Sequence, residues 1–333
     1  MGRDARTSLT GVLSCISVGL RSPALIRVPL SSPESLFRSE TMPDFCNYEG
    51  SDYKERFWTE ERRYEDLVER QALARLLPPA GAAIADLGAA YGRLADLYRG
   101  YAQVYLVDYS RSLLEQARQT WGSDPRFTFV AADIRRLPLA SASLDTVVTV
   151  RVLHHLPDIA PAVAEAARVL APGGHYVIEY ANKRNLKAIL RYLVRRQNWS
   201  PFAAEPVEFA ELNFDFHPAH ISRTLAAVGL RVQERRAVSL FRLALLKRAL
   251  GAPLLARLDR LLQPVASLYP LSPSVMLRAA RPVAGQRPEA VSGSRLACPH
   301  CHAALELRPD GASCHQCGRN WPLSGGIYDF REQ

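Results

Sequence analysis

Short apolar runs alternate with amphipathic segments over much of the chain, and this alternation predicts a sheet covered by helices. Five runs are rich in β-branched or aromatic residues, as expected for parallel strands buried on both faces. They cover residues 82–87, 104–108, 127–131, 145–150 and 176–180. Helical patterns over residues 93–99, 112–120 and 161–170 lie between these runs. The pattern therefore predicts an α/β fold.

The flanking pattern predicts further elements on both sides of these strands. An aromatic cluster containing Tyr53, Phe57 and Trp58 is followed by a helical pattern from Tyr64 to Leu76. After residue 182 the pattern changes to a basic, partly helical stretch and then to a loop rich in aromatic and acidic residues. Further along, a helix is predicted over 218–228, a strand from 230, a basic helix over 240–262 and a last strand over 274–280.

Composition shifts divide the chain into five predicted segments. Residues 1–41 are expected to form a disordered N-terminal extension, and residues 42–80 a helical lid. Residues 81–281 form the predicted sheet domain, with insertions over 186–270. Residues 282–297 contain Pro, Gly and Ser and are expected to be a linker. Residues 298–333 form a small terminal module.

Composition and charge narrow the class of protein. Of 333 residues, 48% are apolar and 23% are charged, which is ordinary globular composition and excludes a largely disordered or fibrous chain. No apolar run reaches the roughly 18 residues that a membrane span requires, so no span is expected. Residues 186–285 hold 15 basic and six acidic side chains, a net charge of +9 that equals the charge of the whole chain. This segment could face an anionic substrate, nucleic acid or a lipid surface, or could reflect genomic composition alone.

The loop after the first predicted strand carries the first candidate chemistry. It reads Asp86-Leu-Gly-Ala-Ala-Tyr-Gly92, and a second acid, Asp108, ends the next strand. Glycine lets the backbone turn sharply and approach a ligand closely. A carboxylate at Asp108 can accept from both hydroxyls of a ribose. The dinucleotide fingerprint requires glycine where Ala90 and Arg93 stand, which disfavours a nicotinamide cofactor.

Five ordered motifs over about 90 residues resemble the class I S-adenosylmethionine-dependent methyltransferase family. They are the loop Asp86–Gly92, Asp108, Ala132-Asp133-Ile134, the stretch Leu153-His154-His155-Leu156-Pro157-Asp158, and Leu170-Ala171-Pro172-Gly173-Gly174. The resemblance implies a Rossmann-like, seven-stranded sheet with helices on both faces. It also implies that S-adenosylmethionine is the co-substrate.

The resemblance assigns roles residue by residue. Asp86 and the backbone of Gly88, Ala90 and Gly92 would hold the methionine part of the cofactor, and Asp108 the ribose. Asp133 would accept from the adenine amino group, Ile134 would pack on the adenine ring, and Arg151 would also lie on the cofactor side. The family has glycine where Ala90 stands. Its methyl group either crowds the ligand or fits because the residue keeps a negative φ.

Methyl transfer from a sulfonium places few demands on the protein beyond alignment and desolvation. A general base is needed only if the acceptor keeps its proton until the transition state. His154, His155 and Tyr180 are weak candidates for that base. Tyr53, Phe57 and Trp58 are predicted either to form a lid that excludes water from the cofactor or to dock a helix on the core.

The end of the chain carries a metal-binding pattern. Cys298, Cys301, Cys314 and Cys317 have the spacing C-x2-C-x12-C-x2-C, which predicts a closed, structural Zn²⁺ site of four thiolates. The following residues resemble the zinc ribbon of a small activator subunit that partners methyltransferases for RNA and translation factors. This likeness suggests contact with nucleic acid or with a protein partner. Thiolates kept for zinc favour a cytoplasmic location.

These patterns lead to one main hypothesis about function and two alternatives. The main hypothesis is an S-adenosylmethionine-dependent methyltransferase that modifies a small or medium-sized acceptor, with residues 186–270 shaping the acceptor pocket. An RNA methyltransferase acting on rRNA or tRNA is the alternative within enzymes. A non-catalytic, cofactor-binding regulator or scaffold is the alternative of another class.

Overall fold

The computed structural model of the protein describes residue 46 and residues 48–283 and 293–331. The segment 1–41, predicted to be disordered, lies outside the described residues. So does most of the predicted linker, residues 284–292.

Seven strands form the central part of a mixed sheet. They are β1 (Gly81–Leu87), β2 (Tyr101–Asp108), β3 (Phe127–Ala131), β4 (Leu144–Thr149), β5 (Leu170–Ala181), β8 (Arg231–Val238) and β9 (Ser274–Ala280). Their spatial order is β3-β2-β1-β4-β5-β9-β8, with β1 to β5 parallel and β9 antiparallel to both β5 and β8. The order reverses between β1 and β4, which is where open α/β sheets bind ligands. Two short strands, β6 (Val207–Ala210) and β7 (Asn213–Asp215), form a separate hairpin.

The terminal module adds four more strands to this sheet. They are β10 (Glu306–Arg308), β11 (Gly311–Ser313), β12 (Asn320–Ser324) and β13 (Ile327–Asp329). Strand β13 pairs in parallel with β3, and Ile327 lies opposite Phe129. Without it, β3 would present an unpaired edge to solvent. The terminal residues, predicted to be a separate small module, therefore extend the main sheet to 11 strands.

Seven α-helices cover and flank the sheet within the described residues. They are α1 (Tyr53–Phe57), α2 (Arg63–Leu76), α3 (Arg111–Trp121), α4 (Ala160–Val169), α5 (Leu186–Leu193), α6 (Pro218–Ala227) and α7 (Ala244–Ala266). The helix predicted over 93–99 is only a 3-10 turn, Ala95–Tyr98. The reason is length: the chain leaves the loop at Gly92 and enters β2 at Tyr101. Helix α7 is bent at Gly251, whose φ is +71°.

Apolar layers fill both sides of the sheet. Along β1, Ala83, Ala85 and Leu87 belong to the layer beneath α4 and α6. Ile84 points the other way and packs in the layer that includes Leu73 of α2. This alternation confirms the predicted α/β architecture with helices on both faces. No helix in the described part of the chain is both long and apolar enough to cross a bilayer.

Candidate functional site

A cleft opens at the carboxyl ends of β1, β2 and β4, where the strand order reverses. Its volume is about 910 Å³, including space open to solvent. The cleft is lined by nearly all of the residues that the sequence assigns to a cofactor. The lining includes Asp86, Gly88, Ala90, Asp108, Asp133, Ile134 and Arg151.

The loop after β1 turns through residues in the left-handed region of backbone conformation. Gly88 has a φ of +78°, and a Cβ there would lie 2.1 Å from Cγ2 of Val152. This position therefore requires glycine for space as well as for conformation. Ala90 has a φ of +47°. Of the two alternatives for Ala90, a negative φ is therefore wrong, and the left-handed conformation costs an L-residue about 1–2 kcal/mol.

Asp108 fixes the unusual conformation of the loop. Its Oδ2 accepts from the N–H of Ala90 at 2.7 Å, and its Oδ1 accepts from the N–H of Ser110 at 2.8 Å. Each carboxylate oxygen has two lone pairs, so both oxygens can still accept from a ligand. Burial raises the pKa of Asp108 to about 6, against the two backbone donors that lower it. The same side chain thus ties β1 to β2 and faces the cleft.

Asp86 lies deeper at the end of β1. It is almost fully buried and accepts a hydrogen bond of 2.8 Å from the hydroxyl of Tyr98. Burial raises the pKa of Asp86 to about 7, and the Tyr98 hydrogen bond opposes this change. The carboxyl group is therefore close to the balance between its two protonation states near neutral pH.

Asp133 and Ile134 follow β3 on the other side of the cleft. Oδ1 of Asp133 accepts from the N–H of Arg135 at 2.8 Å. The Arg135 guanidinium forms an ion pair with the same carboxylate at 2.9 Å. Ile134 is nearly buried and presents an apolar wall. Asp133 and Ile134 thus place a carboxylate that accepts hydrogen bonds beside an apolar side chain.

Arg151 is held by two buried carboxylates. Its φ is +62°, and its N–H donates to Oε2 of Glu179 at 3.0 Å. Its guanidinium donates to Oε1 of Glu69 on α2 at 2.8 Å. Burial alone would lower the pKa of Arg151, but Glu69, Tyr53 and Glu179 together outweigh burial and raise that pKa.

Glu69 is a functional candidate that the sequence motifs do not single out. It is fully buried, and its second oxygen accepts from Arg93 at 2.9 Å. Burial alone would raise the pKa of Glu69, but Arg151 and Arg93 outweigh it and lower that pKa. One signal was available: Glu69 shares the buried face of α2 with Ala72 and Leu76, at spacings of three and seven residues. A carboxylate in an apolar stripe indicates a buried ion pair.

The aromatic segment before the sheet closes one side of the cleft. Tyr53 and Trp58 line it, and Phe57 stacks on Tyr53 with ring centroids 5.2 Å apart. The Trp58 ring lies 3.8 Å from the guanidinium carbon of Arg93. Phe57 lies 4.8 Å from that of Arg151. The segment thus lines the cleft and packs against two arginines that are mostly buried.

The candidate bases differ sharply in position. His155 lines the cleft, and its Nδ1 lies 3.3 Å from the carbonyl oxygen of Leu212. A carbonyl only accepts, so Nδ1 carries the proton and Nε2 accepts from the hydroxyl of Tyr48 at 3.1 Å. Burial lowers the pKa of His155 to about 4. His154 and Tyr180 are not among the residues that line the cleft, and Tyr180 is buried in the core.

The four terminal cysteines converge on one point. All four Sγ atoms lie within 4.8 Å of one another. The Cys298–Cys317 and Cys301–Cys314 sulfur distances are 3.6 and 3.5 Å. Sulfurs around a tetrahedral zinc, at Zn–S distances of about 2.3 Å, are separated by about 3.8 Å. The donor set and its spacing therefore fit one zinc ion.

A comparison with protein families identifies the central domain. Residues 85–178, which contain the loop, Asp108, Asp133 and Arg151, match the family model described as a methyltransferase domain. Residues 85–178 are therefore a methyltransferase domain, and the five motifs that resemble the class I S-adenosylmethionine-dependent family lie within them. The matched segment runs from within β1 to within β5 and holds most of the cleft.

Curated relatives described as methyltransferases match the chain over part of their length. A probable S-adenosylmethionine-dependent methyltransferase of Mycolicibacterium smegmatis is 33% identical over 131 residues, which is 39% of this chain and 48% of that protein. A demethylmenaquinone methyltransferase of Clavibacter sepedonicus is 36% identical over 115 residues, or 34% of this chain and 47% of that protein. The chain thus spans less than half the length of these relatives.

Solved structures also align with the chain. One is from the complex between the Haloferax volcanii Trm112 methyltransferase activator and a putative methyltransferase. It has a TM-score of 0.47 and 18% identity, over 69% of this chain and 92% of that chain. A putative S-adenosylmethionine-dependent methyltransferase from Listeria monocytogenes also has a TM-score of 0.47, with 14% identity, over 66% of this chain and 98% of that chain.

Proposed function

We propose that the protein transfers a methyl group from S-adenosylmethionine to a small or medium-sized acceptor. The observation that carries this proposal is the cleft in the methyltransferase domain, where Asp86, the β1 loop and Asp108 share one wall. The co-substrate supplies a methyl group on a sulfonium, which is already activated for displacement. The protein's own part is to bind, orient and exclude water.

The residues of the cleft suggest how the cofactor is held. In this proposal Asp86 and the loop Gly88, Ala90 and Gly92 take the methionine part, and Asp108 takes the ribose hydroxyls. Asp133 and Ile134 on the opposite side take the adenine. Arg151 acts as a positioning residue, because its guanidinium is committed to Glu69 and lies against the aromatic segment.

The protonation state of His155 indicates whether it can activate the methyl acceptor. Its pKa is lowered to about 4, so it is neutral at pH 7, and both ring nitrogens already have partners. A group with so low a pKa is a weak general base. We infer that the acceptor reaches the cleft in a nucleophilic form, and that His155 helps to place it. The hairpin that supplies the Leu212 carbonyl belongs to segment 186–270, which supports a role for this segment in shaping the acceptor pocket.

We also propose a structural zinc ion held by Cys298, Cys301, Cys314 and Cys317. Four thiolates leave no open coordination position, so the ion would stabilise the terminal strands and take no part in transfer. A reducing compartment would keep these thiols available.

Calorimetry with S-adenosylmethionine and S-adenosylhomocysteine tests cofactor binding on the intact, zinc-loaded chain. We expect both to bind, and we expect Asp108→Ala to weaken both severely while the circular dichroism spectrum stays unchanged. Equal affinity in the variant would contradict the ribose assignment, and no heat with the unaltered protein would contradict the proposal.

Labelled S-adenosylmethionine and fractionated cell extract, with and without ribonuclease, test the acceptor. We expect label in the small-molecule fraction. The second candidate acceptor is rRNA or tRNA, which the positive charge of residues 186–285 favours. Label in a ribonuclease-sensitive fraction would establish this alternative. Cofactor binding without transfer to any fraction would favour a non-catalytic regulator or scaffold.

A further inference from the structure

Helix α5 turns its apolar side away from the protein. Leu186, Leu190 and Leu193 are spaced by four and three residues and are 51%, 54% and 66% exposed. Its buried position is instead Ala188, at 4%. A helix on a globular protein normally points its apolar stripe at the core. The orientation of α5 is the reverse of that arrangement.

The second half of α7 also leaves a row of apolar side chains exposed. Leu254, Leu261 and Val265 lie on one face and are 44%, 72% and 69% exposed. The face packed on the protein buries Leu255 and Ala256, and it also carries the polar side chains Asp259 and Gln263, both fully buried. Asp259 accepts from the hydroxyl of Tyr64 at 2.6 Å and from Gln263 at 3.0 Å, so this orientation of the helix is fixed by hydrogen bonds.

The start of α5 contacts the segment that follows α7, at the carboxyl edge of the sheet. The N–H of Leu186 donates to the carbonyl of Leu271, just beyond α7, at 2.8 Å. The Arg184 guanidinium lies 4.6 Å from the ring of Tyr269, which is itself exposed. We call the exposed sides of residues 186–194 and 254–269 the apolar-basic face. Helix α5 follows β5 directly, so the face lies at the same sheet edge as the cleft.

The charge of this face has one sign. Exposed basic side chains flank both apolar rows: Lys187 and Arg191 on α5, Arg257 and Arg260 on α7. Asp259 is the single acidic residue within the two ranges, and it is buried. Large apolar side chains flanked by Lys and Arg are typical of helices that lie in the interface of a bilayer. Contiguous exposed apolar surface of this kind marks an interaction site.

We propose that the apolar-basic face binds an anionic lipid surface. The leucines and Val265 would enter the headgroup region, and the flanking arginines and lysine would contact lipid phosphates. A second copy of the chain fits less well, because two such faces would bring like charges together. RNA would use the charges but would leave the leucines exposed to water. Docking in this way does not depend on methyl transfer.

Vesicle flotation of the intact, zinc-loaded chain tests this proposal. One set of vesicles is phosphatidylcholine alone, and the other contains about 30% phosphatidylglycerol, to supply a surface potential. We expect at least roughly tenfold tighter binding to the anionic vesicles, and weaker binding as salt rises.

Two double variants separate the apolar and charged contributions. Leu261→Ser with Val265→Ser, and Arg257→Gln with Arg260→Gln, should each reduce partitioning about tenfold or more. Leu307→Ser, and Arg75→Gln with Arg99→Gln, alter exposed side chains elsewhere and should leave partitioning unchanged. Cofactor affinity should stay unchanged in all four variants, so loss of docking is distinguishable from failure of the proposed activity.

Several results would overturn the proposal. Equal binding to neutral and anionic vesicles, or binding to neither, would do so. A dimer in analytical ultracentrifugation that the Leu261→Ser, Val265→Ser variant converts to a monomer would assign the face to a second copy. Ribonuclease-sensitive RNA binding that is lost in the arginine variant, kept in the leucine–valine variant and accompanied by no vesicle binding would assign it to RNA.

Discussion

At the scale of single residues, Ala90 combines a methyl group with a backbone conformation that favours glycine. The left-handed conformation costs an L-residue about 1–2 kcal/mol. Glycine avoids this cost but loses more conformational entropy on folding than alanine does, which costs about 0.5–1 kcal/mol of free energy. We therefore expect Ala90→Gly to increase the free energy of unfolding by about 0.5 kcal/mol in urea denaturation. Cofactor affinity should change little, because Asp108 still holds the N–H of residue 90.

Ala142 provides a matched control for Ala90. Its φ is +54°, and it is not among the residues that line the cleft. Ala142→Gly should give a similar gain in stability with unchanged cofactor affinity. If Ala90→Gly destabilises the protein while Ala142→Gly stabilises it, the methyl group of Ala90 contributes packing that outweighs its strain.

The raised pKa of Asp108, about 6, predicts opposite effects of pH on folding and on binding. The folded protein holds this proton more tightly than the unfolded chain does, so the group stabilises the fold below its unfolded pKa, and this contribution is lost as pH rises through 6. Ribose hydroxyls donate to the ionised form. We therefore expect cofactor affinity to fall about fivefold as pH is lowered from 6 to 5.

Calorimetric titrations between pH 5 and pH 8 check this expectation. Asp108→Asn should bind more weakly at pH 7 and should lose the change near pH 6. The pKa of Asp86 is raised to about 7, so its ionisation should also change cofactor affinity near pH 7. That change should remain in Asp108→Asn. Asp124→Asn, which removes a surface ion pair with Arg126, is the control and should keep the full pH profile. A profile that is unchanged in Asp108→Asn would exclude this carboxylate as the titrating group.

At the scale of elements, Glu69 joins α2 to the cleft. Its carboxylate pairs with Arg93, which follows the β1 loop, and with Arg151, which follows β4. Both arginines contact rings of the aromatic segment. Removal of one partner of a buried ion pair leaves an uncompensated charge and costs about 3–5 kcal/mol. We expect Glu69→Gln to reduce the free energy of unfolding by about 3 kcal/mol and also to weaken cofactor binding, as measured by denaturation and calorimetry.

Glu60→Gln is the control for this substitution. Glu60 pairs with Arg63 at 2.8 Å, but its side chain is 79% exposed. Exposed pairs contribute little to stability, so this variant should behave like the unaltered protein. A small effect of Glu69→Gln, similar to that of Glu60→Gln, would show that water reaches the Glu69 network.

The sequence predicts most strands correctly because burial on both faces leaves a continuous apolar run. Strands β3 and β9 have the predicted bounds, 127–131 and 274–280. The prediction is poorer where tertiary constraints decide. The Pro172-Gly173-Gly174 turn lies inside β5, where the pairing of β4 passes from Leu170 to His175 across an irregularity.

Long-range pairs in the site lie beyond what the local pattern can predict. Arg151 and Glu69 are 82 residues apart along the chain. Their contact depends on how α2 packs against the end of β4. The motif order does predict that Asp86, Asp108 and Asp133 line one cleft, because the carboxyl ends of parallel strands meet at one edge of the sheet.

At the scale of the whole molecule, the terminal cysteine module is joined to the sheet through a strand pair. The sequence does not predict this contact, since β13 has only three residues and its partner β3 precedes it by about 200 positions. Trp321 and Phe330 continue the apolar layer of the main domain into the module, together with Cys298 and Cys314. The proposed zinc site and the edge of the methyltransferase sheet therefore share one core.

This arrangement predicts that loss of zinc destabilises the edge of the central sheet. We expect about one zinc per chain by atomic emission, because four thiolates complete one tetrahedral site. Removal of zinc by a chelator should lower the melting temperature, because metal binding is coupled to folding of the module. Hydrogen exchange should accelerate in β13 and, through the lost pairing, in β3, while strand β5 on the far side of β1 should keep its protection.

Cys314→Ser and His315→Gln distinguish the ligands in this test. Cys314→Ser should lose zinc and reproduce the exchange pattern of the chelated protein. His315 pairs with Glu306 at 2.7 Å on the surface, so His315→Gln should retain zinc and normal exchange. Zinc retained at one per chain in Cys314→Ser would contradict the ligand set. Zinc loss without faster exchange in β3 would show that the pairing of β13 with β3 persists without the metal. The stability of the main sheet would then not depend on the zinc site.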